Sequence, residues 1–315
     1  MEPLRSRVAR TIVSVGALVA VGACGPSAEQ AGGSGESAPE VLVFAAIPSE
    51  ESTTLEQSYQ HVIALLEKET GRKVEFQQAT DYAAVIEGQR SGKIHIAKYG
   101  PLSYVLARDT GAGVVAVAAE QKDKGGKPGY HSYGVVKADS PIRTLADLAG
   151  KKVCFTDPTS TSGYLYPRAA LLDLGIDPET ELTTVLAGGH DAAALSAASG
   201  QCDAAFAGDV LVDELLIAKG QLEPGELRKV WTSELIPGSV VAVSDKLDGT
   251  LQDTIADAFQ TKANVDYLRA NGFCGETGEC PVDNSHDWGY AKVNDASYDG
   301  VRAVCETTEN SSCTS

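Results

Sequence analysis

The stretch Asp157-Pro158-Thr159-Ser160-Thr161-Ser162-Gly163-Tyr164 sets a cluster of hydroxyls directly before a helix-like run, Leu165 to Leu174. The first amides of a helix lack internal partners and carry the positive end of its dipole. Hydroxyl and amide donors gathered there can hold an anion. Ser160 or Thr161 can cap the helix, and Gly163 would let a ligand come close to the backbone. The same residues also suffice for a cap with no ligand at all. A second chemistry adds His190 and Asp209, which with Ser160 or Ser162 would make the nucleophile, base and orienter of a hydrolase. No Gly-x-Ser-x-Gly elbow accompanies them, so the chain is not expected to be an enzyme. Gly111-Ala112-Gly113 and Gly188-Gly189 form neither a dinucleotide fingerprint nor a Walker loop, and no cofactor is expected.

The N-terminus indicates export. Arg5, Arg7 and Arg10 precede the apolar run Thr11 to Ala23, which meets Cys24. A basic start, a short apolar segment and small residues before a cleavage point make a signal peptide, expected over residues 1–23. The run falls short of the ~20 residues that span a bilayer. Val21-Gly22-Ala23-Cys24 resembles a lipobox, so Cys24 is expected to be lipidated and to anchor the mature chain to the membrane. The plainer alternative is secretion after a cut near Ala23. Residues 24–39, rich in Gly, Ser, Ala, Glu and Gln after the cysteine, read as a flexible tether.

Six cysteines remain beyond Cys24. Cys274 and Cys280 bracket a Gly-rich loop, and Cys305 and Cys313 bracket a polar tail. Cys154 and Cys202 each lie in a strand-like run and can pair across neighbouring strands. Disulfides suit an oxidising compartment. No Cys-x-x-Cys or Cys/His spacing supports zinc, and no metal site is expected.

The elements that must position these residues alternate between strand and helix patterns. Strands are expected at Val41–Ala46, Lys73–Gln77, Ile94–Ala97 and Gly113–Ala119, with helices at Tyr59–Lys68, Tyr82–Ser91 and Leu102–Asp109 between them. After Ser140-Pro141 the alternation restarts. Strands at Lys152–Phe155, Thr183–Leu186 and Cys202–Ala207 interleave with helices at Leu145–Leu148, Gly163–Leu174, Asp191–Ser199 and Val210–Lys219. This pattern predicts an α/β fold of two lobes with largely parallel sheets. Tyr133–Lys137 and Val240–Ser244 read as crossings between lobes, a two-segment hinge of the kind that permits closure around a ligand. The expected division is 40–135 with 241–315 for lobe 1, and 136–240 for lobe 2. Helices over Thr250–Asn264 and Val265–Ala270 complete the reading.

Several motifs in order resemble the phosphonate-type substrate-binding proteins of ABC transporters. They are Asp81-Tyr82-Ala83-Ala84-Val85-Ile86, Ala97-Lys98-Tyr99-Gly100-Pro101, Pro128-Gly129-Tyr130, Asp157 to Gly163, Ala187-Gly188-Gly189-His190 and Leu235-Ile236-Pro237-Gly238. The resemblance covers about Val41 to Ser244 and fades after Asn264. It implies a type II periplasmic-binding-protein fold, a ligand cleft between lobes and delivery to an ABC permease. It also implies roles by position: Tyr82 and Tyr99 as cleft tyrosines, Ser160, Thr161 and Ser162 as the hydroxyl loop, and His190 as a donor to the phosphoryl group. Asp209 falls where the family holds a ligand's amino group, whereas Ser239 replaces the second carboxylate of that subsite. A lone buried Asp can instead accept from a protonated P–OH and repel a fully ionised rival. The expected ligand is therefore a small phosphorus oxyanion: phosphonate, phosphite or phosphate. His61, His95, His131 and His286 are expected to be structural or superficial.

Charge constrains how such an anion is held. The chain carries −17. Without residues 1–23 it has 23 basic against 42 acidic side chains, a net −19. Nucleic acid is excluded as a partner, and long-range attraction of anions is opposed. Local neutral donors must then dominate. Hydrogen bonds to a charged acceptor contribute ~1.5–3 kcal/mol each, so a handful reaches micromolar affinity, about −8 kcal/mol. A monomer is expected. A lipoprotein with this cleft could also act as a sensor for a membrane kinase, since the difference lies in the partner.

Overall fold

The computed structural model describes residues 39–49, 52–275, 280–285, 287–308 and 313. The expected signal peptide, Cys24, the tether up to residue 38 and His286 lie outside the described residues.

The chain begins with β1 (Val41–Ala46), α1 (Ser52–Ser58), α2 (Gln60–Thr70), β2 (Lys73–Gln77) and α3 (Tyr82–Arg90). It continues through β3 (Ile96–Tyr99), α4 (Pro101–Asp109) and β4 (Val114–Gln121). Local chemistry sets these boundaries. α2 stops at Gly71, whose φ of 64° is a left-handed conformation that glycine adopts without strain. α3 starts at Asp81, whose carboxylate accepts from the Ala84 N–H at 2.8 Å. Pro101 opens α4, where its missing N–H costs nothing.

A short strand, β5 (Gly129–Tyr130), leads into β6 (Ser132–Lys137), β7 (Lys152–Phe155), α5 (Tyr166–Asp173) and β8 (Thr183–Leu186). Then come α6 (His190–Ala198), β9 (Ala204–Gly208), α7 (Leu216–Ala218) and β10 (Leu227–Thr232). The return runs through β11 (Ile236–Pro237) and β12 (Val240–Ser244) to α8 (Gly249–Asp257), α9 (Val265–Ala270), β13 (Gly289–Lys292) and α10 (Asp299–Thr307).

Two large sheets result among the described residues, ordered β13-β4-β12-β3-β1-β2 and β10-β6-β9-β7-β8, beside the two-stranded β11-β5. Both are mixed, which corrects the expectation of largely parallel sheets. β1 is parallel to β2 and β3, but β12 enters between β3 and β4 antiparallel to both. In the second sheet β7 is parallel to β8 and β9, whereas β6 is antiparallel to β9 and β10. The strands by which the chain enters each lobe from a linker, β6 and β12, run against the βα units.

The crossing also lies upstream of its expected place. Tyr133 to Val135, assigned by sequence to lobe 1, pair with β9 in the second sheet. The two linkers meet as a ladder of their own, Ile236 opposite Tyr130 and Pro237 opposite Gly129. A Cβ on Gly129 would lie 2.8 Å from the Ile236 carbonyl, so this close pairing demands glycine.

Each sheet is packed on both faces. Central β12 is buried along its whole length. The parallel strands of both sheets end at the space between the lobes, the place where open α/β sheets bind ligands. Three disulfides join Cys154 to Cys202, Cys274 to Cys280, and Cys305 to Cys313.

Candidate functional site

A cavity of about 110 Å³ lies where the strand ends of the two sheets meet. A single bound water needs about 10–15 Å³, so the space suits an object of several heavy atoms.

The second sheet supplies neutral donors. β7 ends at Phe155, and the chain turns through Ser160 into a π turn, Thr161–Leu165, that runs on into α5. The expected single helix from Gly163 thus begins two residues early, as a wide π turn of a kind often found at functional sites. Ser160 is the cap: its Oγ accepts from the Gly163 N–H at 3.1 Å, which leaves its own hydrogen to donate. Thr161 Oγ1 accepts from the Leu102 N–H at 2.8 Å. That amide belongs to the first turn of α4, whose own cap residue, Gly100, has no side chain to offer. A hydroxyl of one lobe therefore caps a helix of the other. Ser162 Oγ is buried against the Tyr130 hydroxyl, has no partner at full hydrogen-bond geometry among the described residues, and lines the cavity. Gly163 is not among the lining residues. A Cβ there would meet Thr156 Oγ1 at 2.0 Å, so packing against Thr156 requires this glycine rather than ligand approach.

His190 opens α6 and faces the cavity. Its backbone N–H donates across the cleft to the Ser49 carbonyl at 2.9 Å. The Gly208 N–H donates to His190 Nδ1 at 3.2 Å, which places the neutral ring's proton on Nε2. Burial, with a smaller effect from Lys98, pushes the imidazole down to about 4, so it is a neutral donor at physiological pH.

The first lobe adds Tyr82, whose buried hydroxyl lies against Ser160 and has no partner at full hydrogen-bond geometry among the described residues. Burial, then the Asp157 carboxylate, raises its pKa and keeps the proton on the oxygen. Tyr130 of the linker ladder also lines the cavity, its ring 3.9 Å from the position a Cβ on Gly208 would take. Tyr99 does not reach it. Successive side chains of a strand face opposite sides, and Tyr99 points under α3, where its hydroxyl donates to Gln89 Oε1 at 2.9 Å. The cleft role expected for Tyr99 is corrected to a core role, and its neighbour Lys98 lines the cavity instead.

Around Lys98 lies a buried ionic wall. Its ammonium is 2.8 Å from Glu120 Oε1 and donates to Asn284 Oδ1 at 3.4 Å. Burial alone would lower Lys98, but Glu120 outweighs it and holds the pKa above the ordinary value. Asp283 and Asp287 complete the wall, both raised by burial first and by neighbouring carboxylates second. Glu120, Asn284, Ser285 and Asp287 line the cavity. Asp209, at the end of β9, also lines it. Its carboxylate accepts from the Val210 N–H at 2.9 Å, and burial raises its pKa. A second π turn, Leu211–Leu215, follows directly.

The structure thus gathers Tyr82, Ser160, Thr161, Ser162, His190 and Asp209, and leaves Tyr99 out. Sequence reasoning missed Lys98, Glu120, Tyr130, Asn284 and Asp287. Lys98 had a signal, a charge inside the apolar strand Ile96-Ala97-Lys98-Tyr99. His61, His95 and His131 each use Nδ1 on a backbone group, of Phe273, Val43 and Ser233.

Two lobes with a donor-lined cleft at their strand ends define a type II periplasmic binding protein. Residues 44–275 match the family model of the periplasmic phosphonate substrate-binding protein of ABC transporters. The chain belongs to this family of importer components. It is 44% identical over 320 residues to the phosphate-import protein PhnD of Mycolicibacterium smegmatis, covering 98% of this chain and 99% of that one. It is 34% identical over 228 residues to the phosphonates-binding periplasmic protein of Escherichia coli, covering 71% and 67%. The fold is shared with PhnD1 of Prochlorococcus marinus, solved with methylphosphonate, at a TM-score of 0.74 and 18% identity over 86% of this chain and 99% of that one. No helix among the described residues is long and apolar enough to cross a membrane.

Proposed function

We propose that this protein captures inorganic phosphate outside the cytoplasm and hands it to an ABC permease. The observation that carries the reading is the set of neutral donors converging on one small cavity: Tyr82 Oη, Ser160 Oγ, Ser162 Oγ and His190 Nε2. A compact oxyanion offers several acceptors and is matched by such donors without a buried counter-charge. Asp209, on the same cavity, accepts from a P–OH, which phosphate retains near neutral pH and sulfate lacks. The relative of 44% identity is named for phosphate import, which supports the same ligand.

An aminoalkylphosphonate is the second reading, because Asp209, Glu120 and Asp287 present carboxyls to the cavity. Lys98 on that wall disfavours an ammonium, and Ser239 stands where the family's other tail carboxylate would be. Calorimetric titration with phosphate, phosphite, methylphosphonate and 2-aminoethylphosphonate decides between them. Phosphate binding tightest supports our reading, and preference for the amine overturns it.

We read the site as one of binding rather than catalysis, a reading that the partners of the candidate triad support. His190 Nδ1 is occupied by the Gly208 amide and Asp209 by its neighbour's amide, so no carboxylate among the described residues takes that nitrogen. We further propose that the protein acts as a monomer anchored through a lipid on Cys24. Cys24→Ala should move it from the membrane fraction to the soluble fraction.

A further inference from the structure

Helix α10 lies beyond the stretch matched by the family model, and none of its residues lines the ligand cavity. With the turn before it, Asp295–Tyr298, it nevertheless touches both lobes and a linker. On the first-lobe side Arg302 grips Asp109, the last residue of α4, through two bonds of 2.9 Å, and reaches Asp295 at 2.9 Å. A bidentate pair of this kind fixes orientation as well as distance. Asp295 also accepts from the Tyr104 hydroxyl of α4 at 2.8 Å. Tyr298 is fully buried, its ring centroid 5.0 Å from that of Tyr104, and its hydroxyl donates to the Gly238 carbonyl at 3.2 Å. Gly238 directly follows β11, in the linker that returns the chain to the first lobe.

The second-lobe side is held by packing and by a charge. Leu165 and Tyr166, where the π turn meets α5, are buried in one apolar cluster with Val301 and Cys305 of α10 and with Leu102 and Val105 of α4. Arg168 of α5, only 7% exposed, donates from Nε to the Thr308 carbonyl at 3.4 Å. Thr308 caps the end of α10, so a cation of the second lobe meets the negative end of that helix's dipole. Nη1 of the same guanidinium pairs with Glu179 within the second lobe at 3.0 Å.

Rotation of one lobe against the other about the linker ladder must shear this shared cluster and stretch the Arg168 contact. Sheared apolar surface returns to water, which opposes the motion. We propose that α10 is a brace across the hinge that holds the ligand-free protein in the closed arrangement, with Arg302 and Arg168 as its two anchors. The anchors act in series, so loss of either one releases the brace. A ligand that binds only the closed arrangement loses apparent affinity in proportion to the closed fraction, so the brace also raises affinity. This last clause rests on the proposed function; the brace itself does not.

The test is solution scattering of the full chain without ligand, with circular dichroism to verify that each variant is folded. The wild-type curve should fit the arrangement of lobes in this structure. Arg168→Met and Arg302→Met should each raise the radius of gyration, and the double variant should raise it no further than the larger single effect. Glu179→Gln removes only the pair inside the second lobe and should leave the radius unchanged. Tyr298→Phe, which keeps the ring and deletes the bond to the linker, serves if an arginine variant fails to fold, and should also raise the radius. A wild-type curve that fits only a more open arrangement overturns the inference. So does an unchanged radius in the folded variants, or a double variant in which the two effects add, which would mark two independent contacts rather than one brace. Phosphate titration of the same variants should then show binding weakened by about 3- to 10-fold. Because the scattering is done without phosphate, failure of the brace is distinct from failure of the phosphate reading.

Discussion

The two walls of the cavity are built on opposite principles. The wall from the second sheet is made, Asp209 apart, of neutral donors, Ser160, Thr161, Ser162 and His190, held by backbone amides and helix starts. The wall from the first sheet and the loop after Cys280 is ionic, with Lys98, Glu120, Asp283 and Asp287 buried together. Removing a neutral donor leaves little behind except a lost hydrogen bond. Removing one member of a buried ionic cluster strands the others. The first wall should therefore govern affinity, and the second should govern stability.

Lys98→Met is the strongest way to break that comparison. It leaves the carboxylates of the wall without their ammonium and should destabilise the fold by about 3–5 kcal/mol, read by urea denaturation. A loss below about 1 kcal/mol would mean that the wall is already neutralised by other means. Ser162→Ala should do the reverse. It should leave the denaturation midpoint nearly unchanged and weaken phosphate binding by about 10- to 100-fold. His190→Ala should weaken binding to a similar degree, and unchanged affinity in either variant would remove that donor from the site.

Thr161→Val probes the contact between the walls. The substitution deletes the hydroxyl that caps α4 from across the cleft, a loss of about 1 kcal/mol. In ligand-free protein the radius of gyration by solution scattering should rise, and an unchanged radius would show that the cap does not hold the lobes together. The neutral wall also carries a pH dependence. His190 is held near 4 in the folded protein, below the ordinary 6.5 of the unfolded chain. Between these values the unfolded state binds more protons, so stability rises with pH across the window. The contribution is complete above about 6.5 and is lost as pH falls toward 4. His190→Gln should flatten the stability profile in that window only.

The same contrast explains what could be read from the sequence. The neutral wall is local: Ser160 to Gly163 announce a helix start, and His190 follows Gly188-Gly189 at another. Lys152–Phe155 and Val240–Ser244 also end where their patterns said, because buried strands carry compact apolar runs, and the largely exposed edge strand Thr183–Leu186 matches on its β-branched Thr-Thr-Val. The ionic wall is assembled from residues 98, 120 and 283–287, far apart in the chain, and no local pattern ties them together. Strand parity misled at Tyr99. A resemblance by motif names the residue but not the face it occupies, and here that face belongs to Lys98. Strands β10 and β13 went unnoticed for a related reason. Their half-buried or short runs gain definition only from pairing with β6 and β4. The boundary at residue 135 failed because Ser132–Lys137 reads as a strand in either lobe, and only its pairing decides.

The most direct test of the account is a calorimetric titration of the wild-type protein with phosphate and, in parallel, with sulfate. Neutral donors that read a compact oxyanion, with Asp209 accepting from a P–OH, predict saturable one-to-one binding of phosphate and far weaker binding of sulfate. No binding of phosphate, or sulfate bound as tightly, would contradict the account.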